Sequence, residues 1–218
     1  MRTAVLFSGG KDSSLSALML SKYFEVELLT FTFGLSQNWR SAERSAKRLG
    51  LPHKKIDFGS GVIEEATDMM IKDAFPRNGL NLVHKKALEI VANRRFLSTS
   101  AKEYEIIADG TRRDDISPQL TLAEVRSLED SYGVHYVRPL LGFGRKLIDE
   151  LAGRFFIVSE GENLPERADY EGEIRCYMRE NYDEEMVEKI FPSRHVHSRV
   201  LGLKSCRSFN SGATFGST

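Results

Sequence analysis

The sequence predicts an α/β protein, a doubly wound parallel sheet with a small C-terminal appendage. Two observations carry that reading. From the N-terminus to about residue 151, short β-rich runs alternate with segments of helical periodicity, the pattern of a parallel sheet covered on both faces. Beyond that the composition changes. Residues 160–188 carry eleven acids against three basic residues, and from Lys189 onward there is no acid at all. A division into residues 1–158 and 159–218 is expected.

The elements follow in order. An apolar run makes residues 3–8 a buried strand. A Ser-Gly-Gly turn leads into a helix over residues 12–23. Residues 25–33 are β-rich and stop at Gly34. Residues 36–49 carry Trp39, Ala42, Ala46 and Leu49 at helical spacing, with Gly50 as a stop. Their other face holds Arg40, Arg44, Lys47 and Arg48, a solvated face. Residues 53–58 form a third strand and 61–74 a helix. Residues 76–79, from Pro76 to Gly79, break the chain. A helix over 80–97 follows, with Leu82, Leu88, Ile90 and Val91 as core candidates. Residues 105–108 are a fourth strand. Thr121 and Glu124 form a capping box for a helix over 121–132. Residues 134–137 are a fifth strand, and 145–151 are helical.

The most informative stretch is Ser8-Gly9-Gly10-Lys11-Asp12-Ser13-Ser14, between the first strand and the first helix. A helix N-terminus offers unpaired N–H groups and partial positive charge, which suits an anion. Two glycines let backbone and ligand approach closely. Lys11 adds a mobile positive charge, and Ser13 and Ser14 add donors. It is not a Walker A loop, because Asp12 follows Lys11 and position 5 is Val. The loop instead resembles the SGGxDS signature of the PP-loop family, the N-type ATP pyrophosphatases. That family includes tRNA thiolases, lysidine synthetases, GMP and NAD synthetases and diphthine–ammonia ligase. The resemblance implies a Rossmann-like, adenine nucleotide alpha hydrolase-like fold. It also implies that Ser8, Gly9, Gly10, Lys11, Asp12, Ser13 and Ser14 hold the pyrophosphate of ATP, leaving the α-phosphorus open to attack.

Two further segments fit the same resemblance. Asp109-Gly110-Thr111-Arg112-Arg113-Asp114-Asp115 is similar to the family's Gly-containing turn after the fourth strand. Asp109, Gly110 and Thr111 are expected to meet ATP, and Gly110 to let the chain pass close to it. Asp12 with Asp114 or Asp115 is expected to hold Mg²⁺, a hard cation that prefers oxygen. Arg112 and Arg113 would neutralise phosphate, and Lys11, Asp12 and Arg112 are the catalytic candidates. On the residues alone, the loop also reads as a turn whose Arg and Asp pair with one another. Arg138-Pro139-Leu140 followed by Arg145 looks like the segment common in tRNA-modifying members. Phe31, Thr32 and Phe33 stand where the family meets adenine, partly through backbone groups. Strand ends of a parallel sheet share one edge, so these segments are expected to form one site.

Lys+Arg and Asp+Glu balance at 31 each, so no global basic field advertises nucleic acid. The acid-free C-terminal stretch still offers Arg194, Arg199, Lys204 and Arg207, which join Arg138 and Arg145 as candidate RNA contacts. Residues 208–218 read as a mobile tail. The short apolar start is not expected to act as a signal peptide, and no segment approaches a membrane span. A soluble cytoplasmic protein is expected, with room for a homodimer. Cys176 and Cys206 make no Cys-x-x-Cys, and two cysteines do not supply the three ligands of a thiolase iron–sulfur cluster. His195 and His197 read as structural. The expected activity is adenylation of a substrate oxygen with release of pyrophosphate, in tRNA base thiolation or amination. The alternatives are an amide ligase acting on a small molecule or protein side chain, and an adenine-nucleotide-binding regulator without turnover.

Overall fold

The computed structural model describes residues 1–59, 61–93, 104–161, 168–191 and 197–204. Its elements in order are β1 (Arg2–Leu6), α1 (Lys11–Leu20), β2 (Glu25–Thr32), α2 (Trp39–Leu49), β3 (His53–Asp57), α3 (Val62–Asp73) and α4 (Arg77–Ala92). There follow β4 (Ile106–Ala108), α5 (Leu122–Tyr132), β5 (His135–Val137), α6 (Arg145–Phe155), β6 (Phe156–Gly161), α7 (Tyr170–Asn181), α8 (Glu184–Ile190) and β7 (His197–Leu203). The expected α/β class is borne out. Five parallel strands lie in the order β3-β2-β1-β4-β5. The chain winds one way from β1 to β3 and the other way through β4 and β5. The direction changes between β1 and β4, where such sheets open a crevice beyond the carboxyl ends of their strands.

Local chemistry sets most boundaries. Gly50 ends α2 in the left-handed region at φ 70, as its position after Leu49 predicts. The Thr121 side chain accepts the Glu124 amide and Glu124 answers back, so the capping box of α5 forms. The 76–79 break does not. Pro76 caps α4 and Gly79 lies inside it. Packing explains this: a Cβ on Gly79 would sit 2.6 Å from the Ala66 carbonyl oxygen and the Met70 side chain. The glycine is where α4 crosses close over α3. Of the α4 core candidates, Leu82 and Ile90 are only partly buried, and Val83, Ala87, Leu88 and Val91 form the buried face. Residues 94–97 of the expected helix lie outside the described residues.

The sheet has an apolar layer on each face. One gathers Leu29, Phe31, Ile56, Met70, Leu88 and Ile107. The other gathers Val5, Phe7, Leu15, Leu28, Ala42 and Ile148. Residues past 158 enter both. Ile174, Met178, Val187 and Phe191 of the α7–α8 segment join the first layer, and Val200 of β7 joins the second. Strand β6 pairs antiparallel with β7, and residue 158 falls inside it. Arg194, Arg207, His195, Cys206 and the 208–218 tail lie outside the described residues. Among the described residues, no helix is long and apolar enough to cross a membrane.

Candidate functional site

The 8–14 loop sits at the carboxyl end of β1, and the 109–115 loop at the carboxyl end of β4. Gly110 presses against the start of α1. A Cβ there would lie 2.7 Å from the Ser13 nitrogen and 2.8 Å from the Asp12 carbonyl carbon. The glycine thus serves a loop-to-helix contact, where a close approach to nucleotide was expected. Both obstacles are backbone atoms and neither can rotate aside. Gly110→Ala should therefore cost about 1–3 kcal/mol, the ordinary penalty of overpacking. Thermal unfolding checks this; an unchanged melting temperature would contradict the geometry.

Between the two loops lies a cavity of about 200 Å³. Ser8, Asp12 and Ser13 line it from the first loop, and Asp109, Gly110, Thr111 and Asp115 from the second. Phe31 closes it from β2, His84 from α4 and Tyr170 from α7. The helix N-terminus makes its first helical bond from the Ser14 amide to the Gly10 carbonyl at 3.1 Å. The Asp12 and Ser13 amides take no acceptor in a preceding turn. Ser13 Oγ braces the loop, donating to the Gly10 carbonyl at 3.3 Å and meeting Ser8 Oγ at 3.3 Å. Gly9, at φ 76, faces α2 instead of the cavity: its Cβ would meet Ala42 Cα and Ser45 Oγ at 3.1 Å. Ser14 is fully buried, with its hydroxyl unpartnered among the described residues.

The carboxylates divide. Asp115 accepts the Arg112 amide at 2.7 Å and its Nε at 3.0 Å, while Arg112 Nε also lies 3.5 Å from Asp12 Oδ2. One guanidinium thus bridges Asp12 and Asp115. Asp12 Oδ1 is buried and has no hydrogen-bond partner among the described residues. Burial pushes its carboxyl up to about 6, with Arg112 pulling down and Asp115 pushing up. Asp114 is placed elsewhere. It is exposed and accepts the Arg145 amide at the start of α6, a bond that holds its carboxyl below the ordinary range. Of the alternatives Asp114 and Asp115, the structure brings Asp115 to Asp12. Arg112, expected to be available to phosphate, is already engaged by two carboxylates.

Two expectations are corrected by chain the sequence does not place. Lys11 is not mobile: its Nζ lies 2.7 Å from both Asp149 and Glu160, and it does not line the cavity. Burial would lower its pKa, but the two carboxylates outweigh it and hold the ammonium above its ordinary value. Its amide donates to Ser198 Oγ of β7 at 3.2 Å, and the Val200 amide donates to the Gly9 carbonyl at 2.9 Å. At the end of β2, the backbone expected to meet adenine is also taken. Glu173 of α7, 5% exposed, accepts from the Phe33 amide at 2.7 Å and the Thr32 hydroxyl at 2.8 Å. It accepts the Ser36 amide and hydroxyl as well, at 3.2 and 3.1 Å. Phe33 stacks on Phe58, so of the three only Phe31 reaches the cavity wall.

The candidate RNA contacts scatter. Arg138 donates to the Leu120 carbonyl at 3.1 Å and lies over the Tyr136 ring, which makes it a brace between strand and loop. Lys204 Nζ donates to the Gly153 carbonyl in the last turn of α6. Arg199 is half-buried in β7. Arg145 is exposed, in a shallow cleft with Arg113 and Lys146 beside the 109–115 loop. The site also contains residues the sequence reading did not single out. Asp109 Oδ2 lies 2.7 Å from His84 Nε2 and accepts the Tyr136 hydroxyl, and Oδ1 accepts the Thr111 amide at 2.8 Å. The signal for His84 was present, as a polar residue on the buried face of α4 between Val83 and Ala87. Glu173, lost in an acidic run, had none.

Residues 1–202 match the model of a family of unknown function, DUF7411. The chain belongs to that family. An uncharacterized protein of Methanocaldococcus jannaschii, MJ0690, is 44% identical to this DUF7411 chain over 208 residues, 94% of this chain and 97% of that protein. A crystal structure of a predicted subunit of tRNA methyltransferase from M. jannaschii matches with a TM-score of 0.82 at 43% identity, covering 94% of this chain and 98% of that one. A probable tRNA sulfurtransferase of Saccharolobus solfataricus is 31% identical over 172 residues, 76% of this chain. The DUF7411 chain spans 44% of that relative's length. The resemblance read from the 8–14 loop is borne out: this DUF7411 chain is a PP-loop protein.

Proposed function

We propose that this DUF7411 chain is an ATP-dependent enzyme that adenylates a base oxygen of tRNA and releases pyrophosphate. The observation that carries the reading is the cavity at the switch point of the sheet, where a PP-loop at a helix N-terminus meets Asp12 and Asp115. The named tRNA sulfurtransferase relative supports tRNA as the substrate.

The chain's own groups divide the work. The Asp12 and Ser13 amides and the Ser8 hydroxyl bind phosphate oxygens at the positive end of α1, while the Ser13 hydroxyl braces the loop through the Gly10 carbonyl. Phe31 and the apolar wall exclude water from the reacting centre. A substrate oxygen attacks the α-phosphorus, AMP is transferred and pyrophosphate departs with the bonding electron pair. A nitrogen or sulfur nucleophile then displaces AMP. Positioning and electrostatics supply the rate. The residues fit a Mg²⁺ ion: Asp12 Oδ1 is an orphaned buried oxygen, and Asp115 stands across Arg112 from it. No group of three or more His, Cys, Asp or Glu is gathered for a metal among the described residues. That agrees with Mg²⁺, which commonly uses one or two carboxylates plus substrate phosphates. When bound there it would neutralise charge on the phosphates. Arg113, Arg145 and Lys146 are the exposed cations placed to meet an RNA backbone.

A second reading is favoured by the C-terminal contacts. Ser198 on the Lys11 amide and Glu173 on the Phe33 amide suit a regulatory subunit that holds a nucleotide without turning it over. Mixing the full chain with Mg²⁺–ATP and unmodified tRNA transcripts separates the two. The enzyme reading expects AMP and pyrophosphate in equal amounts, stimulated by tRNA. Nucleotide binding with no pyrophosphate at any tRNA concentration would leave the regulator.

A further inference from the structure

The chain is neutral as a whole, but its charge is sorted by sheet face. Helices α1, α2 and α6 and the β6–β7 hairpin join the layer of Val5 and Phe7, and they carry nine basic residues against five acids. Helices α3, α4, α5, α7 and α8 join the other layer, with eight basic residues against fourteen acids. The division is steepest at α2 and the edge strand β3. Arg40, Arg44, Lys47, Arg48, Lys54 and Lys55 stand there against Glu43 and Asp57. All six but Lys54 are exposed.

Fold stability accounts for part of this charge. Lys47 and Arg48 suit the negative end of α2, and lysines on an edge strand guard it against pairing. Arg40 is not explained that way. It stands in the first turn of α2, at the positive end of the helix, where no acid offsets it. Trp39 beside it is the chain's one tryptophan. Such a ring is ordinarily core material, yet among the described residues it joins neither apolar layer and stays half-exposed. Two cations flank it: the Arg40 guanidinium lies 5.4 Å and the Lys55 ammonium 5.5 Å from its ring.

The place of the patch also matters. Helix α2 follows β2, so Trp39 opens it on the carboxyl edge of the sheet, the edge that holds the cavity. Phe31 of the cavity wall pairs with Ile56, the residue after Lys55. Strand β3 lies two strand spacings from β1, about 10 Å. Arg145 and Lys146 begin α6 on the same side of the sheet.

We propose that the α2–β3 face is an RNA-docking surface, where backbone phosphates meet Arg40, Arg44, Lys47, Arg48 and Lys55 and an unpaired base stacks on Trp39. This rests on tRNA as the substrate and on no part of the adenylation step. Cations that track a backbone beside an aromatic ring that takes a base are the usual parts of a single-strand site. A lipid surface also attracts cations, but it takes an apolar helix face. That of α2, Ala42, Ala46 and Leu49, is spent on the sheet.

The test uses the full chain and unmodified tRNA transcripts. Because Trp39 is the one tryptophan, indole emission reports this face alone. Transcripts should quench it, saturating at the Kd that filter binding gives. Arg40→Gln with Lys47→Gln should lower the slope of log K against log salt by about 1.4–1.8, two phosphate contacts' worth, and weaken binding at 0.1 M salt about 10-fold or more. Trp39→Leu should weaken binding about 10- to 100-fold, with Trp39→Phe recovering part of it. Wild type that binds no transcript at any salt overturns the tRNA reading and this proposal with it. Transcripts that bind wild type but leave the indole emission unchanged overturn the proposal alone, a result that needs no folded variant. So does a double Gln variant with the wild-type slope. Vesicles of phosphatidylglycerol that change the emission where transcripts do not would assign the patch to a membrane surface and overturn it as well.

Discussion

Asp12→Asn is expected to lower pyrophosphate release by about 10²- to 10³-fold or more, the scale of losing one preorganised electrostatic contact, and at the same time to stabilise the metal-free protein above pH 6. Burial raises the Asp12 carboxyl from 3.8 to about 6, against the pull of Arg112. Across that window the folded chain holds a proton that the unfolded chain has lost. Stability therefore falls as the pH rises from 3.8 to about 6, and it stays lower above. Asn carries no charge and escapes that loss, while Arg112 keeps Asp115 as its partner. The side chain is 31% exposed, so solvent screening reduces the gain to about 1–2 kcal/mol, or about 3–6 °C in melting temperature. Below pH 3.8 wild type and variant should melt together. Strain held at a site that works is the expected pattern. Melting curves in EDTA from pH 3.5 to 8, with a pyrophosphate assay alongside, check both halves. A folded Asp12→Asn chain that turns over like wild type would end the assignment of this loop.

Glu173→Ala should lower the melting temperature by about 10 °C. The carboxylate is 5% exposed and accepts four hydrogen bonds, two from main-chain amides. Hydrogen bonds to a charged group contribute about 1.5–3 kcal/mol each, and donors left buried without an acceptor cost more than the bond returned. The Ser36 hydroxyl can turn to water; the Phe33 amide cannot. A net loss of about 3–4 kcal/mol follows, which for a chain of this size corresponds to about 10 °C. Glu173→Gln keeps one acceptor oxygen but turns an amide NH₂ toward a donor, and should lose about half as much. Thermal denaturation of both variants is the measurement. An alanine variant as stable as wild type would mean that α7 does not hold the end of β2 as the hydrogen bonds describe.

What could be read from the sequence alone was what neighbours along the chain decide. The alternation of β-rich and helical runs determined the parallel sheet, because side-chain period reports which faces are buried. Thr121 with Glu124 and the glycine after Leu49 determined helix ends, because caps are made within a turn of the backbone. Ser8 to Ser14 determined the PP-loop, because a helix N-terminus and its anion donors lie within seven residues. The tertiary structure alone decided the partners. Lys11 meets Glu160, Phe33 meets Glu173, His84 meets Asp109, and Asp115 instead of Asp114 turns toward Asp12. None of these has a local signature. Two residues 140 apart become neighbours only once the sheet has brought a late helix back over an early strand. At close range charge and hydrogen-bonding groups choose whatever partner the packing supplies, so a mobile lysine became a held one and a strand end kept for a ligand was closed by the chain's own carboxylate.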